Sequence, residues 1–200
     1  MTPASQQALE GLRDLSMLKW DVIPLLAYTF YNSTLEMKKA RATGNWNVVF
    51  AGLTVFGMDF INETWNGWVL VFTGRSAFWT APGDTALRSM VGWNIEIMFM
   101  FAISGIIYAN TISEDRNEKV LGVPNWWFWA IGYSIFCVFV EVLLNMGGHL
   151  VWEYAFWHRS IRGVWLIFLI GYFHFYVAAL LVIGMKTIRA KAITVAALYT

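Results

Sequence analysis

Apolar runs broken by short charged or glycine-bearing stretches repeat along the whole chain. Five of them, approximately residues 17–36, 46–72, 92–112, 125–147 and 163–185, reach the roughly 20 helical residues that cross a hydrocarbon layer of about 30 Å. The breaks are sharp. EMKKARATGN stops the first run, SEDRNEK the third and KTIRAKA the fifth, while Pro24 falls early in its run, where a proline has few helical hydrogen bonds to remove. Strands are not expected, because unpaired backbone in lipid is too costly. The pattern predicts an all-α fold, a polytopic transmembrane helix bundle of about five spans forming one domain over residues 1–200.

The two remaining connections are less ordinary. TGRSAFWTAPGDTALRSMVG, residues 73–92, is more apolar than a solvated linker and is expected to lie back over the bundle as a lid. GGHLVWEYAFWHRSIRG, residues 147–163, opens on Gly147-Gly148, which can break a helix and let the following residues run along the interface. Residues 1–16 have no apolar core, so the first span is expected to direct insertion.

Composition supports lipid as the solvent: 58% of residues are hydrophobic and 14% charged, far from a soluble globule. The net charge of +1 gives no field for nucleic acid, which is excluded as a partner. The lone Cys137 excludes an internal disulfide and a thiolate-rich metal site. Lys38, Lys39, Arg41, Arg116, Lys119, Lys186, Arg189 and Lys191 would share one membrane side, against Arg13, Lys19, Arg75, Arg88, Arg159 and Arg162 on the other. This excess predicts an integral multi-pass membrane protein with a cytoplasmic C-terminus.

Helical geometry turns the polar letters inside these runs into stripes. At about 100° per residue, Asp59, Asn62, Glu63 and Asn66 share one face, while Trp65 and Trp68 point to another. Trp127, Ser134, Glu141, Asn145 and His149 align on the fourth run, and Asp21, Tyr28 and Asn32 on the first. Glu96 heads the third run; His174 shares a face of the fifth with the small residues Gly163, Gly171 and Ala178. Asp21 is expected to pair with Lys19 at the interface. An inward orientation of all five stripes is the economical arrangement, because a charge at mid-bilayer costs about 2.5–3.5 kcal/mol on insertion scales. Carboxylates converging at short range cannot all ionise, so at least one of Glu63, Glu96 and Glu141 is expected to hold a proton at neutral pH, with Asn62, Asn66, Asn145 and Trp indole groups as hydrogen-bond partners.

Glu63, Glu141 and Glu96 are therefore the candidate catalytic residues, with Asp59, Asn62, Asn66, Asn145, His149, Trp127 and His174 as candidate substrate-binding groups. An Asn in a span also serves as interhelical glue, which competes with function at Asn32, Asn110 and Asn145. No cofactor or metal is expected: the histidines lie at unmatched depths for haem, and neither Glu141 nor Glu153 has a histidine three residues later. Three classes follow. The first is an intramembrane enzyme performing acid–base chemistry on a lipophilic small molecule, such as isoprenoid cyclisation or isomerisation, with aromatic walls shielding a cation. The others are a proton-coupled transporter or channel, and a non-catalytic assembly subunit. Membrane lipids are the expected neighbours, and an oligomer is compatible with each class.

The short basic loop KKARATGN, the INETW of the second run and the GWNIEIMF of the third give residues 20–110 a resemblance to the small integral-membrane terpene cyclases of fungal meroterpenoid and indole-diterpene pathways. That resemblance implies protonation of an epoxide or alkene on a prenylated substrate, with Glu63 at the matching acidic position.

Overall fold

The structure, a computed structural model, describes every residue except Arg116 and the side chain of Met17. Arg116, one of the cations used above to orient the chain, lies outside the described residues. Helix α1 (Pro3–Glu10) starts at Thr2, whose side chain accepts from the Ser5 amide. Helix α2 (Val22–Thr43) and helix α3 (Asn47–Thr73) both stop at glycines in the left-handed region, Gly44 at φ 76° and Gly74 at φ 59°. Each glycine amide returns to a carbonyl of the last turn, a closure that L side chains strain to make. Helix α4 (Ile95–Thr111) is capped by Asn94, and α5 (Asn125–Met146) ends at Gly147. Helix α6 (Ile161–Leu166) runs without a break through a π-helical stretch, Ile167–Phe173, into α7 (His174–Gly184). A final helix, α8 (Ile188–Ala197), is capped by Thr187 and was not anticipated from KTIRAKA, which reads as a stop.

Strands do occur, contrary to expectation, but among the described residues only as antiparallel pairs of two or three residues in the connections. They are β1 (Trp79–Thr80) with β6 (Val151–Trp152), β2 (Arg88–Met90) with β3 (Trp93–Asn94), and β4 (Lys119–Val120) with β5 (Val123–Pro124). The cost of unpaired backbone is met locally, by short ladders rather than a sheet.

Helix α3 is the centre of the bundle, packing most extensively on α4 and α7 and also touching α2 and α8. Its approach to α4 is set by two glycines: a Cβ added at Gly105 would stand 2.6 Å from the Ala51 carbonyl oxygen and 2.8 Å from the Gly52 Cα. Ala51, Val55, Tyr108, Phe175, Tyr176 and Ala179 fill the core beside this crossing. The chain end folds back on α3, where the Tyr199 hydroxyl donates to the Leu53 carbonyl and its ring stacks on Phe56 and Phe60.

Large apolar side chains stand outward to a degree that water would not tolerate: Phe72 is 82% exposed, Val71 75%, Leu181 66% and Phe136 60%. Among the described residues, α5 and the continuous helix Ile161–Gly184 are long and apolar enough to cross a bilayer. Helix α4 is apolar but has 17 residues, about 25 Å of rise. Helices α2 and α3 have the length, with more polar groups along it. Helix α2 is peripheral, and the stripe Asp21, Tyr28 and Asn32 does not face the interior. Its buried positions are Val22, Thr29, Glu36 and Ala40, and the Asn32 amide bonds its own helix at the Tyr28 carbonyl.

Over one end of the bundle, residues 73–94 with the β2–β3 pair, α1 and the 147–160 segment form a cap. Arg88, 1% exposed, organises it by donating to the carbonyls of Ala81 (2.7 Å), Gly83 (2.8 Å) and Ala8 (3.4 Å). Lys19 pairs with Asp84 at 2.7 Å, not with Asp21. The hydrogen bond and charge of Lys19 hold the Asp84 carboxyl below its ordinary range, and Asp84 raises the Lys19 ammonium. Asp84's share of stability is therefore present above the unfolded carboxylate value and fades as pH falls through its depressed folded value. Because both groups are exposed, the stability difference between the wild type and Lys19→Ala is expected to be small. It should begin to fade below about pH 4, be gone once the pH is below the depressed folded value of Asp84, and shrink in high salt, as thermal scans across pH and ionic strength would record.

Candidate functional site

Helix α3 carries Asp59 and Glu63 one turn apart on its buried face, and α5 brings Glu141 to the same chamber. Each carboxyl is met by a tryptophan indole from the cap. Trp93 Nε1 donates to Asp59 Oδ2 at 2.5 Å, Trp79 Nε1 to Glu63 Oε1 at 2.6 Å, and Trp152 Nε1 to Glu141 Oε1 at 2.7 Å. The Tyr172 hydroxyl adds a second donor to Glu141, at 2.5 Å to Oε2. Among the described residues, none of these three carboxyls forms an ion pair with Lys or Arg. Hydrogen bonds alone satisfy them, as burial of a polar group demands.

The β1–β6 ladder explains how two indoles reach two acids. Trp79 and Trp152 are directly opposite each other in that ladder, so their side chains share a face. One residue of the pair reaches α3 and the other α5. Asn66 fixes the α3 side: its Oδ1 accepts the amides of Phe78 (2.8 Å) and Trp79 (3.3 Å), and its Nδ2 donates to the Trp79 carbonyl at 2.9 Å. Gly92 leaves the room, since a Cβ there would lie 2.6 Å from Glu63 Oε2 and 2.7 Å from Trp79 Nε1. Gly92→Ala is expected to part Glu63 from Trp79 and to lower thermal stability by about 1–3 kcal/mol; a normal Trp79 indole N–H resonance in that variant would contradict this.

Asn62 serves the π-helical stretch. A π turn leaves main-chain carbonyls outside the regular α pattern, and Asn62 Nδ2 donates to two of them, Ile170 at 3.1 Å and Gly171 at 3.3 Å. Asn62 Oδ1 accepts from Trp65 Nε1 at 3.0 Å and lies 3.3 Å from His174 Nε2. Trp65 is thus tied to the polar stripe it was expected to turn away from, because its long side chain leans back over the preceding turn.

Two cavities meet at Glu141. The first, about 40 Å³, is the polar chamber, with Asp59, Asn62, Glu63, Trp79, Gly92 and Trp157 in its wall. The second, about 460 Å³, is an apolar cleft between α4 and α5, running from Asn94 and Glu96 on one side and His149 on the other down to Ile107 and Tyr133. Glu141, Tyr172, Phe101, Ile97 and Leu150 belong to both walls. A cavity of 460 Å³ is of the size that holds a small molecule.

The sequence-derived candidates therefore divide. Asp59, Asn62, Glu63 and Glu141 share the chamber, and Asn66 buttresses it from behind. Glu96 does not join them: at the start of α4 it accepts from the Thr85 hydroxyl (2.6 Å) and the Ala86 amide (2.7 Å), at the mouth of the cleft with His149. Asn145 holds the Leu150 carbonyl and Arg159, outside both walls. His174 supports Asn62 without lining a cavity, and Trp127 is an exposed residue packed on Phe173. Trp127 and Asn145 share a face of α5 with Glu141, but the far ends of that 22-residue helix lie outside the chamber. Indole donors to the carboxyls were expected as a class and are found, but Trp79, Trp93 and Trp152 were not singled out, and Tyr172 was missed. The three indoles sit in the cap, where the apolar character of the loops was the available signal. Among the described residues, no three His, Cys, Asp or Glu side chains stand together as metal ligands.

Residues 2–200 match a family model described as an uncharacterized membrane protein family. An uncharacterized protein of Archaeoglobus fulgidus is 43% identical over 191 residues, covering 96% of this chain and 88% of its own length. No solved structure matches the chain.

Proposed function

The chain belongs to this membrane protein family, and on that premise we propose that it is a multi-pass intramembrane enzyme transferring protons to and from a lipophilic small molecule. In this reading α2, α3, α4, α5 and the helix Ile161–Gly184 are five crossings, with the C-terminus in the cytoplasm. The carrying observation is the position of the Glu141–Tyr172 pair, in the wall shared by a polar chamber and an apolar cleft of about 460 Å³. A substrate lying in the cleft has its reacting carbon beside that pair. Glu141 delivers a proton to an alkene carbon, leaving a cation flanked by the Phe101 and Trp157 rings; loss of a proton from a neighbouring carbon to a chamber carboxylate completes an isomerisation. If a second alkene attacks the cation first, the product is a ring, the cyclisation that the resemblance to membrane terpene cyclases implies.

The test is lipid and isoprenoid profiling of cells with and without the chain, where a substrate–product pair of equal mass is expected. A proton-coupled transporter is the second reading, supported by the carboxyls gathered around one chamber. Liposomes carrying the protein and a pH-sensitive dye separate the two: proton flux without any altered lipid favours transport.

A further inference from the structure

Trp157 is 5% exposed, and its indole nitrogen is buried with no hydrogen-bond partner among the described residues. The three neighbouring cap indoles, Trp79, Trp93 and Trp152, each donate to a carboxyl. A buried N–H left without an acceptor is costly, and native structures rarely keep one. Trp157 belongs to the wall of the 40 Å³ chamber, with its ring edge-on to Trp79 at 6.0 Å. That space admits a single small group and no ring.

We infer that the chamber is the seat of an uncharged oxygen on a lipophilic ligand, a carbonyl or a hydroxyl, and that the Trp157 indole N–H is its donor. The ligand's charge follows from the walls. Asp59, Glu63 and Glu141 line the chamber and, among the described residues, no Lys or Arg does, so a phosphate or carboxylate head finds no counter-charge there. A neutral oxygen accepts from Trp157, and a hydroxyl can in addition donate to a carboxylate. The apolar tail passes Phe101 and Tyr172 into the cleft, which follows α5 from Tyr133 to Leu144, about 16 Å of helix. The inference rests on the acid–base reading only in calling this ligand the substrate.

The experiment is a titration of protein labelled with ¹⁵N at its indoles, in lipid nanodiscs, with dodecanol, dodecanal, dodecane and dodecyl phosphate. The Trp157 resonance is assigned in the wild-type protein by triple-resonance spectroscopy and checked as the one lost in Trp157→Phe. Dodecanol or dodecanal is expected to move that resonance downfield, while dodecane and dodecyl phosphate leave it in place. Trp157→Phe is expected to bind the alcohol about five- to tenfold more weakly, as for one lost hydrogen bond. An equal shift with dodecane, or no shift with either oxygenated probe, overturns the inference in the wild-type protein alone, so the result stands even if the variant misfolds. Binding is read without turnover. Dodecanol seated on Trp157 together with an unaltered lipid profile in Glu141→Gln cells would sink the acid–base reading and keep the oxygen seat; the reverse pair of results would do the opposite.

Discussion

Glu141→Gln is expected to return the lipid profile of cells carrying the chain to that of cells lacking it, with turnover down by about 10²–10⁴-fold, the range for loss of a general acid. The substitution is nearly isosteric. The glutamine carbonyl can still accept from Trp152 Nε1, and its amide can face the Tyr172 oxygen, so the Trp152 and Tyr172 contacts at 2.7 and 2.5 Å have substitutes and the fold should persist. What is lost is the acidic proton, because an amide does not protonate an alkene. Glu63→Gln should impair turnover as well, since its carboxyl lines the same chamber. Full turnover in both variants, measured by mass spectrometry of extracted lipids, would end the acid–base reading.

Gly105→Ala should give the largest loss of stability among single methyl additions at the α3–α4 crossing. Its Cβ would meet main-chain atoms of Ala51 and Gly52 at 2.6 and 2.8 Å, and backbone cannot rotate away as a side chain can. Helices α3 and α4 must separate, with a cost of about 1–3 kcal/mol or more. Gly67→Ala is the control. Nothing lies within 4 Å of a Cβ there, and inside a helix the change should be neutral or gain about 0.5–1 kcal/mol. Thermal unfolding in detergent, followed by circular dichroism, would compare them; equal melting temperatures would contradict the close crossing.

Much of the helical framework was legible, for a physical reason. The run 46–72 coincides with α3 because apolar continuity marks it, and Asp59, Asn62, Glu63 and Asn66 fall at spacings that helical geometry places on one buried face. The inward face of α2 was misread because periodicity identifies a polar stripe without telling whether its helix sits in the middle of a bundle or at the edge. That indoles and Asn66 would serve the carboxyls was legible from residue type and helix face; which tryptophans do so was not. Trp79 and Trp152 stand opposite each other in a two-residue ladder joining distant parts of the chain, and no local pattern announces such a pairing. The π-helical stretch was also hidden. Its sequence, IFLIGYF, differs little from ordinary apolar helix, yet it presents the carbonyls that occupy Asn62.

That same two-residue ladder ties the fates of the two acids. A shift of the ladder that takes Trp79 from Glu63 also carries Trp152 from Glu141, since the two residues are paired across it. Moved as a body, the ladder would thus unshutter both acids together, leaving Glu141 with Tyr172 and Glu63 with Asn66.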